Sequence, residues 1–278
     1  MKTYDSPIQV FRPHTGRIPP LGRYLKSLWA RRKFITTLAR TELRAAHFNT
    51  ILGQFWTVLN PLMLAGVYFM LIQVLRGGRA GIDRFSLLVG CVFLFYFTRN
   101  SVQGGAKSIV GGSGLILNTA FPRALLPITA VLESFLQLVS ALVVYAAIFA
   151  ATGGRLTAGL ALLPLLVFIQ ALFNIGAALM VGTVGVYFRD IISALQYLTR
   201  IWLYATPVIF TVNDLSPSLK AVLAWNPLFH LFSSYQAILT GESARTQDVA
   251  IAAVWAVAFF VVGGLVFISR EQDFAVRI

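Results

Sequence analysis

The stretch that decides the fold is GQFWTVLNPLMLAGVYFMLIQVL, residues 53–75, which holds 23 residues and no charged side chain. A helix rises about 1.5 Å per residue, so about 20 apolar residues cross the hydrocarbon core of a bilayer, which is about 30 Å thick. The stretch therefore predicts a membrane-spanning helix.

Further apolar runs follow along the chain. The predicted spans are 53–75, 85–98 with a continuation to about 106, 128–152, 156–188, 191–212 and 249–269. They predict an all-α integral membrane protein with six transmembrane helices. The composition agrees, because 57% of the residues are hydrophobic and only 12% are charged, against roughly 25% charged in a soluble domain. A soluble globular protein and a disordered chain are therefore excluded, and a single cysteine, Cys91, excludes a disulfide scaffold.

Basic residues set the predicted orientation. The net charge is +13, and residues 1–44 alone hold ten basic and two acidic side chains. Such a segment beside spanning helices marks the cytoplasmic side. If both termini are cytoplasmic, 17 basic residues lie on the inside and 6 on the outside. Without the N-terminal segment the counts are 7 inside and 6 outside, so that segment alone decides the predicted orientation. We expect a cytoplasmic segment at 1–50, a transmembrane domain at 51–269 and a cytoplasmic tail at 270–278.

An amphipathic helix is predicted before the first span. Leu21, Leu28 and Ile35 recur at intervals of seven residues, while basic side chains lie on the other faces. The pattern favours a helix lying in the inner membrane interface. A solvated basic helix is the alternative.

Two segments between spans are too short or too broken to cross the membrane. In 104–127, five glycines predict a break, followed by a short apolar helix that ends at Phe121 and Pro122. This segment predicts either a helix on which a soluble partner docks or a plain loop. In 213–241, Pro217 and Pro227 separate two apolar pieces, which predicts two short re-entrant helices in the outer leaflet.

The sequence predicts a non-catalytic chain. Its three histidines are scattered without ligand spacing, and no hydrolase or zinc-protease motif occurs. The string GGAKS at 104–108 lacks the Gly-Lys-Ser/Thr core of a phosphate-binding loop. We therefore expect no metal and no cofactor in this chain, so that a partner or an ion gradient would supply the energy for transport.

Charged side chains inside the spans point to internal contacts. Arg99 and Glu133 fall at matching depth on adjacent antiparallel helices, which predicts a structural ion pair rather than a proton relay. Arg200 falls about 14 Å into the fifth span if that helix begins at Ile191. If it begins near Leu195, Arg200 reaches the inner headgroups instead.

Two helix faces combine aromatic and polar side chains. The spacing of Trp56, Asn60 and Met63 places them on one face, and the spacing of Tyr197, Arg200 and Tyr204 places them on another. Such faces suit a sugar chain in a substrate channel, because rings stack on C–H faces and polar groups bond hydroxyls. Ordinary packing between helices is the alternative.

Five short strings carry a family resemblance. They are LGQFWTVLNPL (52–62), AFPRALLP (120–127), VYFRDI (186–191), TPVIF (206–210) and WNPL (225–228). In this order they resemble ABC-2 type permeases that export O-antigen, capsule and teichoic acid. The run ARTELRAAHFN (39–49) departs from the family pattern. Alanine and arginine usage resembles actinobacterial proteins, which implies a cell-wall galactan as a possible cargo.

The resemblance implies a homodimer in the bacterial cytoplasmic membrane. It implies two copies of a separate ATPase that hold ATP and Mg, a polyprenyl-pyrophosphate-linked glycan as substrate, membrane lipid around the dimer, and no nucleic acid. The implied ATPase-coupling residues are Arg31, Arg32, Leu117, Phe121, Pro122, Arg123, Arg189 and Asp190. The implied outer gate comprises Pro217, Trp225, Asn226 and Pro227. A drug or lipid exporter of the same fold, a secondary transporter and a membrane glycosyltransferase or scaffold are the alternatives.

Overall fold

A computed structural model describes residues 21–45, 52–75, 77–78, 81–118, 121–154 and 156–277. Residues 1–20 and 46–50 of the predicted cytoplasmic segment lie outside this part. Within it the regular elements are all helical, which confirms the all-α class. The α-helices are α1 Leu21–Ala30, α2 Arg32–Ala45, α3 Trp56–Leu75, α4 Ile82–Gly111, α5 Ser113–Asn118, α6 Leu125–Ala151, α7 Leu163–Tyr187, α8 Asp190–Tyr204, α9 Pro217–Leu223, α10 Phe229–Leu239, α11 Thr246–Arg270 and α12 Phe274–Arg277. Short 3₁₀ turns occupy Gly53–Phe55, Ala158–Leu162, Val212–Asp214 and Glu271–Asp273.

Five helices in the described part are long and apolar enough to cross a membrane, namely α3, α4, α6, α7 and α11. The six predicted spans are therefore not all found. The exception is the predicted fifth span, where α8 has only 15 residues, or about 22 Å. The chain leaves the helix at Ala205 and turns over the next residues, because Pro207 cannot donate the backbone hydrogen bond that a continuing helix needs.

Helix α4 is the centre of the molecule. It packs against α3, α6, α7, α8 and α10, and most of its apolar side chains are buried. The helix runs without interruption to Gly111, so the predicted break at Gly104 and Gly105 is wrong. An added Cβ at Gly105 would lie 2.6 Å from the Ala178 side chain. These glycines therefore allow close packing of helices rather than ending one.

The tightest helix crossing joins α7 and α11. An added Cβ at Gly263 would lie 2.1 Å from the Gly176 carbonyl oxygen, and one at Gly176 would lie 2.3 Å from the Phe259 backbone. Small residues at such a crossing let two backbones approach, which is the usual basis of helix association in membranes.

A buried glutamine joins three helices. The Gln170 amide of α7 donates to the Leu94 carbonyl at 2.8 Å and to the Thr98 hydroxyl at 2.9 Å, both on α4. The Tyr235 hydroxyl of α10 donates to the Gln170 carbonyl oxygen at 2.9 Å. Without these bonds the polar groups would be unsatisfied in an apolar interior, so the network holds α10 inside the helix bundle.

Helices α9 and α10 follow α8 along the chain and differ in burial. Helix α10 packs against α4, α7 and α11, whereas α9 has no buried residue. Before α9, Asp214 meets Arg84 in the first turn of α4 at 3.3 Å. Between α9 and α10, the Asn226 amide donates to the Ala205 carbonyl at the end of α8. The lengths of α9 and α10, 7 and 11 residues, agree with the two short helices that were predicted.

The N-terminal helices and the C-terminus meet at the other end of the bundle. The predicted amphipathic helix is two helices, α1 and α2, separated at Arg31. Tyr24 of α1, Ile109 of α4, Leu126 of α6 and Phe274 of α12 belong to one buried cluster, and α2 packs along α6. We call this end the basic end.

Candidate functional site

A polar cavity opens between α3, α4 and α6, in the half of the bundle nearer the basic end. Its volume is about 540 Å³. Fourteen residues line it: Trp56, Thr57, Asn60, Pro61, Tyr96, Arg99, Asn100, Gln103, Gly104, Lys107, Ala130, Glu133, Ser134 and Gln137. The cavity brings together four residues that the sequence predicted in two separate roles, namely Trp56, Asn60, Arg99 and Glu133.

Side-chain hydrogen bonds order one wall of the cavity. The Asn100 amide donates to the Gln137 carbonyl oxygen at 2.9 Å, and the Gln137 amide donates to the Glu133 carboxylate at 3.2 Å. This chain links α4 to α6. Because Gln137 uses both of its polar groups, its orientation is set.

The predicted ion pair between Arg99 and Glu133 is not formed. No nitrogen of Arg99 lies within 4.0 Å of a Glu133 oxygen in the described structure, which includes both side chains. The Arg99 guanidinium instead lies 4.8 Å from the centre of the Tyr96 ring, where cation–π attraction replaces the carboxylate. Arg99 and Glu133 were predicted at matching depth, and both do line the same cavity. Equal depth alone, however, does not bring two side chains into contact.

The cavity carries unequal charge. Arg99 and Lys107 supply two cations against the single carboxylate of Glu133. Asn60, Asn100 and Gln103 add amide groups that can bond hydroxyls. The arrangement is chemically suited to a ligand with an anionic group and several hydroxyls.

The second predicted face, on α8, lies outside this cavity. Tyr197 and Tyr204 are 68% and 51% exposed, and Arg200 is also exposed. Since α8 begins at Asp190, Arg200 lies ten residues into the helix, about 15 Å from its start. The alternative in which Arg200 reaches the inner headgroups required a helix that begins near Leu195, five residues after the observed start.

A tyrosine pair connects the α8 face to α3. The Tyr68 hydroxyl donates to the Tyr204 hydroxyl at 3.2 Å, and the two rings meet edge to face with centroids 6.1 Å apart. On α3, Met63 is 58% exposed on the outside of the bundle, whereas Trp56 and Asn60 line the cavity. The three residues predicted to share one α3 face therefore divide between two surfaces.

The predicted coupling residues gather at the basic end. Phe121 is half-buried and packs against Phe34 of α2, with ring centroids 6.1 Å apart. The backbone N–H of Arg123 donates to the Glu271 carboxylate at 2.5 Å. Arg31, Arg32, Arg189 and Asp190 are exposed, Pro122 is half-buried, and Leu117 lies in α5, although its side chain is outside the described part.

Within the predicted outer gate, Asn226 forms hydrogen bonds to residues of α8 and of the turn after it. The Asn226 carbonyl oxygen accepts from the Trp202 indole at 2.8 Å, and its amide donates to the Ala205 carbonyl at 2.9 Å. Pro217 begins α9, and Pro227 follows Asn226. Trp225 is 81% exposed.

A second cavity, of about 420 Å³, lies beside α10 at the end opposite the basic end. On its wall, His230 Nδ1 lies 2.6 Å from the Asp248 carboxylate and ties α10 to α11. Within the described residues, no group of three or more His, Cys, Asp and Glu side chains is placed to hold a metal ion.

Sequence reasoning missed most of the first cavity. Asn100, Gln103, Lys107 and Gln137 were not predicted as site residues. A signal was present, because Tyr96, Arg99, Gln103 and Lys107 recur at intervals of three or four and mark one polar stripe on a helix. The predicted helix break at Gly104 and Gly105 separated Lys107 from the rest of this stripe.

Comparison with known proteins gives a consistent picture. The model of the family described as "ABC-2 type transporter" matches residues 33–240. The chain is 30% identical over 258 residues to the "O-antigen export system permease protein RfbA" of Myxococcus xanthus, which covers 91% of this chain and 98% of that protein. It is 21% identical over 245 residues to a protein of the same name from Klebsiella pneumoniae, which covers 87% of this chain and 93% of the relative.

Proposed function

Because the chain belongs to the ABC-2 type transporter family, we propose that it is the membrane subunit of an ATP-driven exporter of a lipid-linked polysaccharide. The polar cavity between α3, α4 and α6 is the observation that carries this proposal. Polar and charged side chains inside a membrane domain are costly unless they serve a substrate or one another. The names of the relatives, O-antigen export permeases, support a glycan as the cargo.

The cavity suits the linkage between lipid and sugar. A polyprenyl-pyrophosphate-linked glycan carries its negative charge where the apolar chain meets the first sugar. Arg99 and Lys107 would bind phosphate oxygens, since a guanidinium fork bonds two oxygens and an ammonium acts as a point charge. Asn60, Asn100 and Gln103 would bond the neighbouring hydroxyls, and the Trp56 ring would stack on a sugar face.

The exposed face of α8 suits a channel shared by two copies. Arg200 lies about 15 Å along a helix whose outer face is exposed in the described structure. In contact with lipid, a charge at this depth costs roughly 2.5–3.5 kcal/mol on insertion scales. A second copy that brings the same face opposite would enclose a polar path, with Tyr197, Arg200 and Tyr204 on its wall.

ATP hydrolysis belongs to a partner in this proposal. The sequence carries no nucleotide-binding signature, so ATP and Mg would bind on two copies of an ABC ATPase. That ATPase would dock at the basic end, which makes this end cytoplasmic. The exposed Arg31, Arg32 and Arg189 and the turn at 121–124 form its contact surface.

Transport by purified components tests the function. The chain, co-purified with its partner ABC ATPase, is placed in liposomes that contain a radiolabelled polyprenyl-pyrophosphate glycan, and the glycan that becomes accessible to an external glycosidase is measured. We expect ATP-dependent export by the unsubstituted protein. Arg99→Ala should lower export at limiting substrate about tenfold, because one charge-assisted contact is lost.

The matched control is Arg245→Ala, which removes an exposed arginine at the opposite end and should leave export unchanged. A galactan-linked lipid is the first glycan to use. If the complex hydrolyses ATP and moves a phospholipid or a hydrophobic drug but no glycan, the proposed cargo is wrong and the drug or lipid alternative replaces it.

A further inference from the structure

The C-terminal segment folds back onto the turn at 121–124. The Glu271 carboxylate accepts from the backbone N–H of Arg123 at 2.5 Å, and the Arg123 guanidinium donates to the Glu271 backbone carbonyl. Glu271 thus binds the same residue with both its side chain and its backbone. Hydrogen bonds to an ionised group are the stronger class of such bonds, so the turn is held to position 271.

No flexible linker separates this contact from the last long helix. Glu271 directly follows Arg270, the final residue of α11, and lies in the 3₁₀ turn Glu271–Asp273. The next residue, Phe274, is fully buried and packs on Phe267 of α11, with ring centroids 5.1 Å apart. Arg123 is therefore joined to α11 through a packed segment.

A second contact ties the same segment to α7. The Tyr187 hydroxyl, at the end of α7, donates to the Asp273 carboxylate at 3.0 Å, and the Arg277 guanidinium lies 4.4 Å from the centre of the Tyr187 ring. Since α7 and α11 also cross closely at Gly176 and Gly263, the C-terminal segment joins the turn to a tightly packed helix pair.

Tyr24 of α1 also lies near Glu271. Burial raises the pKa of the Tyr24 hydroxyl above its usual range, and the Glu271 carboxylate adds to this rise. The phenol therefore stays protonated beside the carboxylate. The N-terminal helix, the turn and the C-terminal segment meet around one glutamate.

We propose that Glu271 is a positioning residue that transmits movement of the ATPase from the turn at 121–124 to α11, through the C-terminal segment 271–277. This rests on the proposed function, in which the turn contacts the ATPase. By chain connectivity the turn moves α5 and α6. Glu271 adds a route to α11 and, through Asp273, to α7, so that the helix pair moves together with α6.

Two substitutions and one control test the proposal. Glu271→Ala removes the acceptor of the Arg123 N–H, Glu271→Gln keeps a weaker neutral acceptor, and Glu242→Ala removes an exposed carboxylate at the opposite end. Each is made in the full chain and co-purified with the ATPase. The glycan exported per ATP hydrolysed is measured in liposomes, and the exchange of the Arg123 amide hydrogen is measured by mass spectrometry.

We expect Glu271→Ala to assemble and to hydrolyse ATP, with an export yield per ATP about tenfold lower and Arg123 amide exchange about tenfold faster, as the loss of a hydrogen bond to a charged group implies. Glu271→Gln should change both by about threefold, since a neutral bond is roughly half as strong. Glu242→Ala should match the unsubstituted protein.

An unchanged yield per ATP in Glu271→Ala overturns the transmission role even if the amide exchanges faster, and unchanged exchange overturns the link itself. If Glu271→Ala does not fold, an unchanged yield in Glu271→Gln overturns the proposal. If instead the proposed function is wrong, the unsubstituted complex exports no glycan. Amide exchange at Arg123 still tests the contact between Arg123 and Glu271 in that case.

Discussion

At the scale of single residues, some polar side chains within the bundle are satisfied by neighbours and others face open space. Gln170 and Asn226 each use their amide donors and their carbonyl acceptor on neighbours, which is the behaviour of structural polar residues. Arg99 and Lys107 face the cavity, and Arg200 faces outward. The open side chains are the candidates for substrate contact.

Arg200 provides the residue-scale prediction. If it faces a channel and bonds the pyrophosphate, Arg200→Ala should abolish most export of labelled glycan in cells, and Arg200→Lys should keep part of it, because an ammonium supplies the charge without the fork. Assembly with the ATPase is checked by co-purification. Normal export by Arg200→Ala at normal expression would leave Arg200 without a role in transport.

At the scale of elements, the glycines decide how closely the helices pack. The α7–α11 crossing leaves no room for a Cβ at Gly263, whereas a Cβ at the next residue, Gly264, would meet nothing within 4 Å. Two adjacent glycines in one helix thus differ only in the face that they occupy. This pair separates the effect of packing from that of helix propensity.

We expect Gly263→Ala to lower the free energy of unfolding by about 1–3 kcal/mol, the usual range for overpacking. Gly264→Ala should be neutral or stabilising by up to about 1 kcal/mol, because alanine favours the helix over glycine. Denaturation of the detergent-solubilised protein, followed by circular dichroism, measures both. Equal effects of the two substitutions would show that the crossing is looser than described.

At the scale of the whole molecule, the surface carries several exposed apolar faces. Exposed apolar residues include Met63, Val67 and Met70 of α3, Ile201 of α8, and Val254 and Val257 of α11. Lipid can cover any of them. Among these faces of the described helices, the α8 face carries an arginine beside tyrosines, so it is the face that we assign to the second copy.

Cross-linking tests this assignment. Ile201→Cys, 63% exposed, should cross-link in membranes to a species of twice the 30.5 kDa chain mass, whereas Val254→Cys, 68% exposed, should not. The native Cys91 is buried and gives a low background. A covalent dimer from Val254→Cys, with none from Ile201→Cys, would place the second copy against α11 instead.

The sequence by itself determined the membrane class, three of the long helices to within three residues at each end, one end of the other two, and the two short helices α9 and α10. It did so because a run of apolar residues long enough to cross a bilayer is a local property, readable without neighbours. The family resemblance was also carried by short local strings.

Only the tertiary structure decided the rest. Whether Gly105 ends a helix or packs against Ala178 depends on a residue 73 positions away. Whether Arg99 meets Glu133 or Tyr96 depends on the rotation of two helices about their axes, which depth along the membrane does not specify. The polar cavity and the contact of Glu271 with Arg123 likewise arise only when distant segments pack. Arg123 and Glu271 are 148 positions apart in the sequence, and a hydrogen bond needs its two atoms within about 3 Å of each other.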